Sequence, residues 1–172
     1  KKGLSADHPD LAALYNNISC AYRSLGEHEK ALEYLLKALA ICKKGLSADH
    51  PDLAALYNNI GCTYGELGEH EKELEYLFKA LAIRKKVLSA DHPDLATTYN
   101  NIGYTYGELG EHKKALDYYL SAVRINITIF GEDDNNTKKL YNIIADLYEK
   151  LNQPKKAEEY RKKADKKTEN SE

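Results

Sequence analysis

The chain has 172 residues, a formal net charge of −2 and a hydrophobic share of 42%, enough apolar matter for a packed core. Balanced charge without a basic stripe argues against a nucleic-acid partner, and no apolar run approaches the roughly 18 residues of a membrane span. No secretory leader is expected. The cysteines, Cys20, Cys42 and Cys62, are odd in number and lack the spacing of a disulfide framework. Cys20 and Cys62 hold the same place in successive copies of a repeat, where packed helices sit about 10 Å apart. That is beyond disulfide reach, so free thiols and a reducing, cytoplasmic setting are expected.

Internal repetition dominates the rest. Gly3–Lys44 and Gly45–Lys86 differ at only seven of 42 positions, Val87–Thr128 is a third copy, and a worn fourth runs from Phe130. Tyr15, Tyr57, Tyr99 and Tyr141 keep the register. A fixed period of this size signals a stacked helical or solenoid architecture. The expected organisation is the tail of a preceding repeat at 1–8, helix-pair repeats at 9–50, 51–92, 93–134 and 135–165, and a charged tail at 166–172. With no Met and an opening Lys1-Lys2-Gly3, the chain reads as a piece of a longer array.

Each copy holds two helical patterns. In the first, Leu11, Leu14, Tyr15, Ile18, Ser19 and Tyr22 recur at intervals of three and four, forming one apolar face. Pro9, Pro51 and Pro93 suit the first helical position, because the amide that proline lacks has no helical partner there. Asp10, Asp52 and Asp94 follow, placing negative charge at the positive end of the helix dipole. Gly26, Gly68 and Gly110 close these helices through the left-handed backbone that glycine adopts readily.

The second pattern spans about Glu27 to Lys44, with Ala31, Tyr34, Leu35, Ala38, Leu39 and Ile41 as its apolar face. Gly45 reads as its terminator, with Leu46 packing back on the last turn. Val87 stands where that glycine should be, which predicts a different ending for the second copy. The joint SADHP, Ser47–Pro51 and Ser89–Pro93, is too short to separate domains. His8, His50 and His92 are expected to cap or pin the joint beside the helix start.

Two places break the pattern. Glu73 replaces the alanine of Ala31, Ala115 and Ala157; a buried carboxylate is costly, so a local splay or a snorkelled side chain is expected. Arg161 and Lys162 replace the apolar Leu35 and Leu36, as befits a last helix with nothing to cover it.

Tyr15, Ile18, Ser19, Tyr22, Gly26, Ala31, Leu35 and Ala38 fall at the spacing of the tetratricopeptide motif, and Gly61 and Gly103 supply the small residue it favours at the Ser19 place. The proline usual after the second helix is absent, its place held by Lys43, Lys85 and Ile127. The period exceeds the commoner one of about 34, and the extra length carries the DHPDLA joint. With the Tyr-Asn-Asn triplet and LGEHEKALEY, the pattern closely resembles the repeats of kinesin light chains. It is also similar to tetratricopeptide regions attached to bacterial and fungal signalling ATPases. The resemblance implies an all-α, right-handed solenoid of antiparallel helix pairs whose first helices line a concave surface. It also implies an interaction module within an adaptor or scaffold.

On that placement Tyr15, Ile18, Ser19 and Tyr22 point into the stack, and the opposite side carries Ala13, Asn16, Asn17 and Cys20. The concave columns become Asn16, Asn58, Asn100 and Asn142; Asn17, Asn59 and Asn101; Ala13, Ala55, Thr97 and Lys139; Cys20, Cys62, Tyr104 and Asp146. Asparagine is a poor helix former, and its amide offers the donor and acceptor that complement a peptide backbone. In families of this kind groove asparagines bind peptide backbones. The resemblance therefore assigns an extended peptide or disordered segment to Asn16, Asn17, Asn58, Asn59, Asn100, Asn101, Tyr104, Lys139 and Asn142. The alternative is that the asparagines bond across repeats and register the stack. Self-association by stacking repeat edges between chains is the competing use of the whole array.

Tetratricopeptide domains that clamp an acidic C-terminus use basic residues beside asparagine. The matching positions, Asn16, Cys20, Asn59, Thr97 and Asn101, carry none, which removes the stronger charge-assisted bonds. The two histidine rows, with His28, His70 and His112 as the second, are spread one per joint and do not converge on a metal. No nucleophile–base pair and no phosphate-cradling glycine loop occurs. The Glu132–Asp134 acids lack the alternating ligands of a calcium loop. A non-enzyme without metal or cofactor is the expectation.

Overall fold

Proline opens the first helix of each of the first three pairs. A computed structural model describes residues 9–166, and its helices are α1 (Pro9–Ser24), α2 (His28–Gly45), α3 (Pro51–Glu66), α4 (His70–Val87), α5 (Pro93–Glu108), α6 (His112–Phe130), α7 (Asn135–Lys150) and α8 (Pro154–Asp165). No strand occurs among the described residues. The expected tail of a preceding repeat at 1–8, including His8, and residues 167–172 of the charged tail lie outside them.

The caps follow from the joint. His50 Nδ1 accepts the Asp52 amide at 3.2 Å, and His92 Nδ1 accepts that of Asp94 at 3.1 Å, each satisfying an orphan donor of the first turn. α7 lacks the proline and uses a carboxylate instead: Asp134 Oδ1 accepts from Asn136 at 2.8 Å and Thr137 at 3.1 Å. Gly26, Gly68 and Gly110 hold φ of 74°, 76° and 74°, the left-handed stop read from the sequence. Gly45 does not. It is the last helical residue, Leu46 turns extended (φ −113°), and α4 ends on Val87 at the same register. No φ is needed there that valine cannot adopt, so the second copy requires no separate ending.

The described residues fall into two compact units, divided after Val87. Within the first, α1 packs on α2, α2 on α3 and α3 on α4; within the second, α5 packs on α6, α6 on α7 and α7 on α8. The core of the first joins Leu35, Ala38, Leu39 and Ile41 of α2 to Leu53, Leu56 and Ile60 of α3. The second joins Ala115, Tyr119, Ala122 and Val123 of α6 to Leu140, Tyr141 and Ile144 of α7, with Ala157 and Ala164 of α8. Small residues set the approach: a Cβ on Gly61 would lie 3.1 Å from Leu77, and one on Gly103 3.0 Å from the Tyr119 ring.

Two expectations change. The tyrosines of the first helices are not sealed between layers, except Tyr141 and Tyr148. Tyr15 and Tyr22 are half-buried and flank Tyr34 of their own pair at centroid distances of 5.7 and 5.5 Å. Tyr57–Tyr76–Tyr64 and Tyr99–Tyr118–Tyr106 repeat the stack. Ser19 and Ile60, the latter at the Ile18 place, are fully buried as expected, and Thr63 joins them. Glu73 neither splays nor snorkels: it is 4% exposed, and Oε2 lies 3.1 Å from His70 Nδ1. Its carboxyl occupies the space a Cβ on residue 65 would need, 2.5 Å away, so Gly65 makes room for it. The last helix keeps its polar residues outward as expected, Arg161 with its side chain 42% exposed and Lys162 75%, and Arg161 also reaches Asp146 at 2.9 Å and Glu149 at 3.0 Å, tying α8 back onto α7.

A forked ion pair links the first two copies. Arg23 of α1 donates to Glu66 of α3 at 2.6 and 2.9 Å, and His28 Nδ1 lies 3.0 Å from the same carboxylate. Burial pushes the Glu66 carboxyl up, but the Arg23 bonds outweigh it and hold the group below its ordinary value of 4.5. A lowered carboxylate contributes stability above its ordinary value and loses it as pH falls through the folded value. Glu66→Gln should therefore flatten the fall in thermal midpoint between about pH 5 and pH 3, measured by circular dichroism. An unchanged acid slope would show the pair to be energetically silent. Glycines give a second test. Gly107 has nothing within 4 Å of an added Cβ, whereas Gly103 faces Tyr119. Gly107→Ala should stabilise by up to about 1 kcal/mol through helix propensity, and Gly103→Ala should lose that gain to about 1–3 kcal/mol of overpacking. Denaturant midpoints check both.

Candidate functional site

The face of α1 and α3 that turns from the core carries the asparagines. Asn16 is half-buried and Asn17 exposed on α1; Asn58 and Asn59 are half-buried on α3. Asn59 Nδ2 donates to Asn16 Oδ1 at 3.1 Å across the two copies, and Asn58 Nδ2 lies 3.8 Å from Cys62 Sγ within its own helix. In the second unit Asn100 and Asn101 are half-buried on α5, while Tyr104, Lys139 and Asn142 are exposed. Within the first unit a cross-copy amide pair therefore joins residues of the two asparagine columns.

The hydroxyls behind this row are satisfied locally. Ser19 donates to the carbonyl of Asn16 at 2.6 Å, Thr63 to that of Asn59 at 2.9 Å and Thr105 to that of Asn101 at 2.9 Å. Such back-bonding lets a polar side chain sit in an apolar layer without an orphan group. These hydroxyls are buried, so they belong to the packing side of the helix and not to the asparagine face.

A groove opens beside the asparagines in each unit. The first, about 310 Å³, is lined by Ala12, Ala13 and Asn16 of α1, by Ile41, Cys42, Gly45 and Leu46 at the end of α2, and by Asp52, Ala55 and Leu56 of α3. The second, about 450 Å³, is built alike from α5, α6 and α7, and includes Thr97, Asn100, Asn126, Phe130, Lys139 and Ile143. Of the residues assigned to a peptide from sequence, Asn16, Asn100 and Lys139 line a groove, as do Ala13, Ala55 and Thr97 from the same column as Lys139. Asn17, Asn58, Asn59, Asn101, Tyr104 and Asn142 are not among its lining residues. The contribution of the second helix, Cys42 and Leu46 or Asn126 and Phe130, was missed. Its one sequence signal was Phe130, an aromatic at the register of Leu46 and Leu88.

Thiol chemistry is disfavoured in the grooves and beside them. Burial raises the Cys42 thiol, Asp52 adding to the effect, and burial pushes Cys62 up to about 11. A thiol so raised is a poor nucleophile at neutral pH. None of the three cysteines is in a disulfide. No described helix is long and apolar enough to cross a membrane.

These elements define an all-α protein of antiparallel helix pairs repeated along the chain. Family models described as tetratricopeptide repeat match residues 10–86, 74–128 and 138–166, and the chain belongs to that family. Among solved structures it is similar to BtubC (BKLC) from P. vanneervenii, at a TM-score of 0.84 and 22% identity over 91% of this chain and 63% of that one. It is likewise similar to the nearly identical TPR-like repeats of a Podosopora anserina putative kinesin light chain, with TM-score 0.82, 22% identity, and 91% and 74% of the two chains covered. MamA follows at 0.69 and 22%, covering 91% and 77%. At this identity the likeness is one of fold. The chain spans less than two thirds of the BtubC chain. No curated protein sequence matches it.

The cross-copy amide pair has a measurable worth. A double-mutant cycle on Asn16→Ala and Asn59→Ala, read by urea unfolding, should give a coupling of about 0.5–1.5 kcal/mol, the net value of one hydrogen bond. Additive losses would mean that the pair contributes nothing to joining the copies.

Proposed function

We propose that this chain is a protein-interaction module that holds an extended segment of another protein along the asparagine faces of its units. The observation that supports this best is the coincidence of amides and grooves: Asn16 and Asn100 occupy equivalent places two periods apart, and each lines an accessible groove. An amide there donates to and accepts from a peptide backbone, which fixes the segment without choosing its side chains. Asn17, Asn58, Asn59, Asn101 and Asn142 extend the row, with Tyr104 and Lys139 as outer contacts. The Asn16–Asn59 bond fits beside this role, because it uses one donor and one acceptor of two amides. Such a module serves an adaptor or scaffold, and thiols outside any disulfide suit a reducing, cytoplasmic setting.

The test is a screen of the 172-residue chain against short extended peptides, followed by titration of the best one. Amide NMR signals of the first helices should shift. Asn59→Ala with Asn101→Ala should weaken binding about tenfold, the loss of one or two hydrogen bonds, with far-UV helicity at 25 °C unchanged. Collapse of helicity would assign the two residues to the stack, and an unaltered affinity would refute the backbone-gripping role.

A further inference from the structure

The two grooves stand two periods apart in sequence, so they are one site written twice. Ala12, Asn16 and Leu56 of the first recur as Ala96, Asn100 and Leu140 of the second. The differences fall at the rim: Thr97 replaces Ala13, Asn126 replaces Cys42, Phe130 replaces Leu46, Asn136 replaces Asp52, and Lys139 replaces Ala55. Two of these changes reverse the charge. Asp52 is the one ionised residue in the lining of the first groove, and Lys139 is the one in that of the second.

The first groove is also the more apolar. Ala12, Ala13, Gly45 and Ala55 keep its walls short, the buried Ile41 and Leu56 floor it, and about 310 Å³ remains open. Pockets of this sort, apolar with a few polar groups at the edge, take a side chain and leave its neighbours to the edge groups. Asp52 is exposed, and its Oδ2 lies 3.8 Å from His50 Nδ1, so its charge stands at the mouth. A carboxylate arriving beside it meets a like charge, whereas a cation is drawn in.

Building on the segment-holding role, we propose that the groove of α1, α2 and α3 is a selective pocket for one bulky apolar side chain flanked by a cationic residue. The equivalent groove of α5, α6 and α7 does not share that preference. The occupant is a partner segment of apolar-plus-basic character. Ala55 sets the room and Asp52 the sign.

The probes are two short peptides, identical except that a central Phe is flanked by Lys in one and by Glu in the other. Each is titrated into the full chain, and the amide signals of Gly45 and Ala55 report this groove. The Lys-flanked peptide should saturate them at roughly tenfold lower concentration, the span between attraction and repulsion at an exposed rim. Asp52→Asn with Ala55→Lys copies the second groove and should reverse the order. Ala55→Phe should plug the pocket and abolish the Gly45 response to both peptides; Ala13→Phe plugs it from the opposite wall. Ala13 and Ala55 are both exposed, so each plug leaves the core untouched. An order unmoved by the charge swap, or a Gly45 response surviving both plugs, overturns the proposal. Shifts at Asn58 or Asn101 with Gly45 and Ala55 still would refute this pocket and leave the segment-holding role standing. Silence throughout the first helices would refute both.

Discussion

A helix pair of this kind cannot cover its own apolar stripe, and everything else in each unit follows from that constraint. Leu35 and Ala38 of α2 are completely removed from solvent, and so is Ile60 of α3, because each element closes the other. Ala115 and Ile144 repeat the arrangement in the second unit. Burial of apolar surface is the main favourable term, and here it is collected at the step from one copy to the next. Within each copy small residues hold the two helices close: Gly61 lies under Leu77 and Gly103 under Tyr119, with no room for a further methyl at ordinary contact distance.

Because the stripe is spent on neighbours, the opposite side of each first helix is free to carry residues that make poor helix and worse core. Asparagine there would be a liability in isolation. Its backbone is instead buttressed from within the core, since Ser19, Thr63 and Thr105 donate to the carbonyls of Asn16, Asn59 and Asn101. The same local bonds satisfy a buried hydroxyl and hold the residue that faces the groove side. Core packing and the asparagine face thus meet at single residues, and the Asn16–Asn59 bond joins the first two copies.

Repetition then allows variation at low cost. Fully buried positions such as Ile60, Ile102 and Ile144 stay apolar, whereas exposed rim positions change charge freely, as Ala55 and Lys139 do. Copies that fold alike need not bind alike. Glu73 shows the limit of this tolerance. A carboxylate in a core position survives because Gly65 leaves it space and His70 stands 3.1 Å away.

The periodicity of apolar residues, the prolines at helix starts and the glycines after the first helices were enough to set the helices and their pairing, because these are local effects of backbone geometry. The histidine caps at His50 and His92 were legible for the same reason. The asparagine face was legible as a face, since a helix places residues at known angles. What sequence could not decide was where three helices meet. The grooves take one wall from the end of the second helix, with Cys42 and Leu46 or Asn126 and Phe130, and no helical periodicity of the first helices points there. The tyrosine stacks, the seat of Glu73 over Gly65 and the return of Arg161 onto Asp146 and Glu149 likewise depend on side chains distant in sequence. Only tertiary packing sets those distances, because it is the burial of the stripe that brings the elements together.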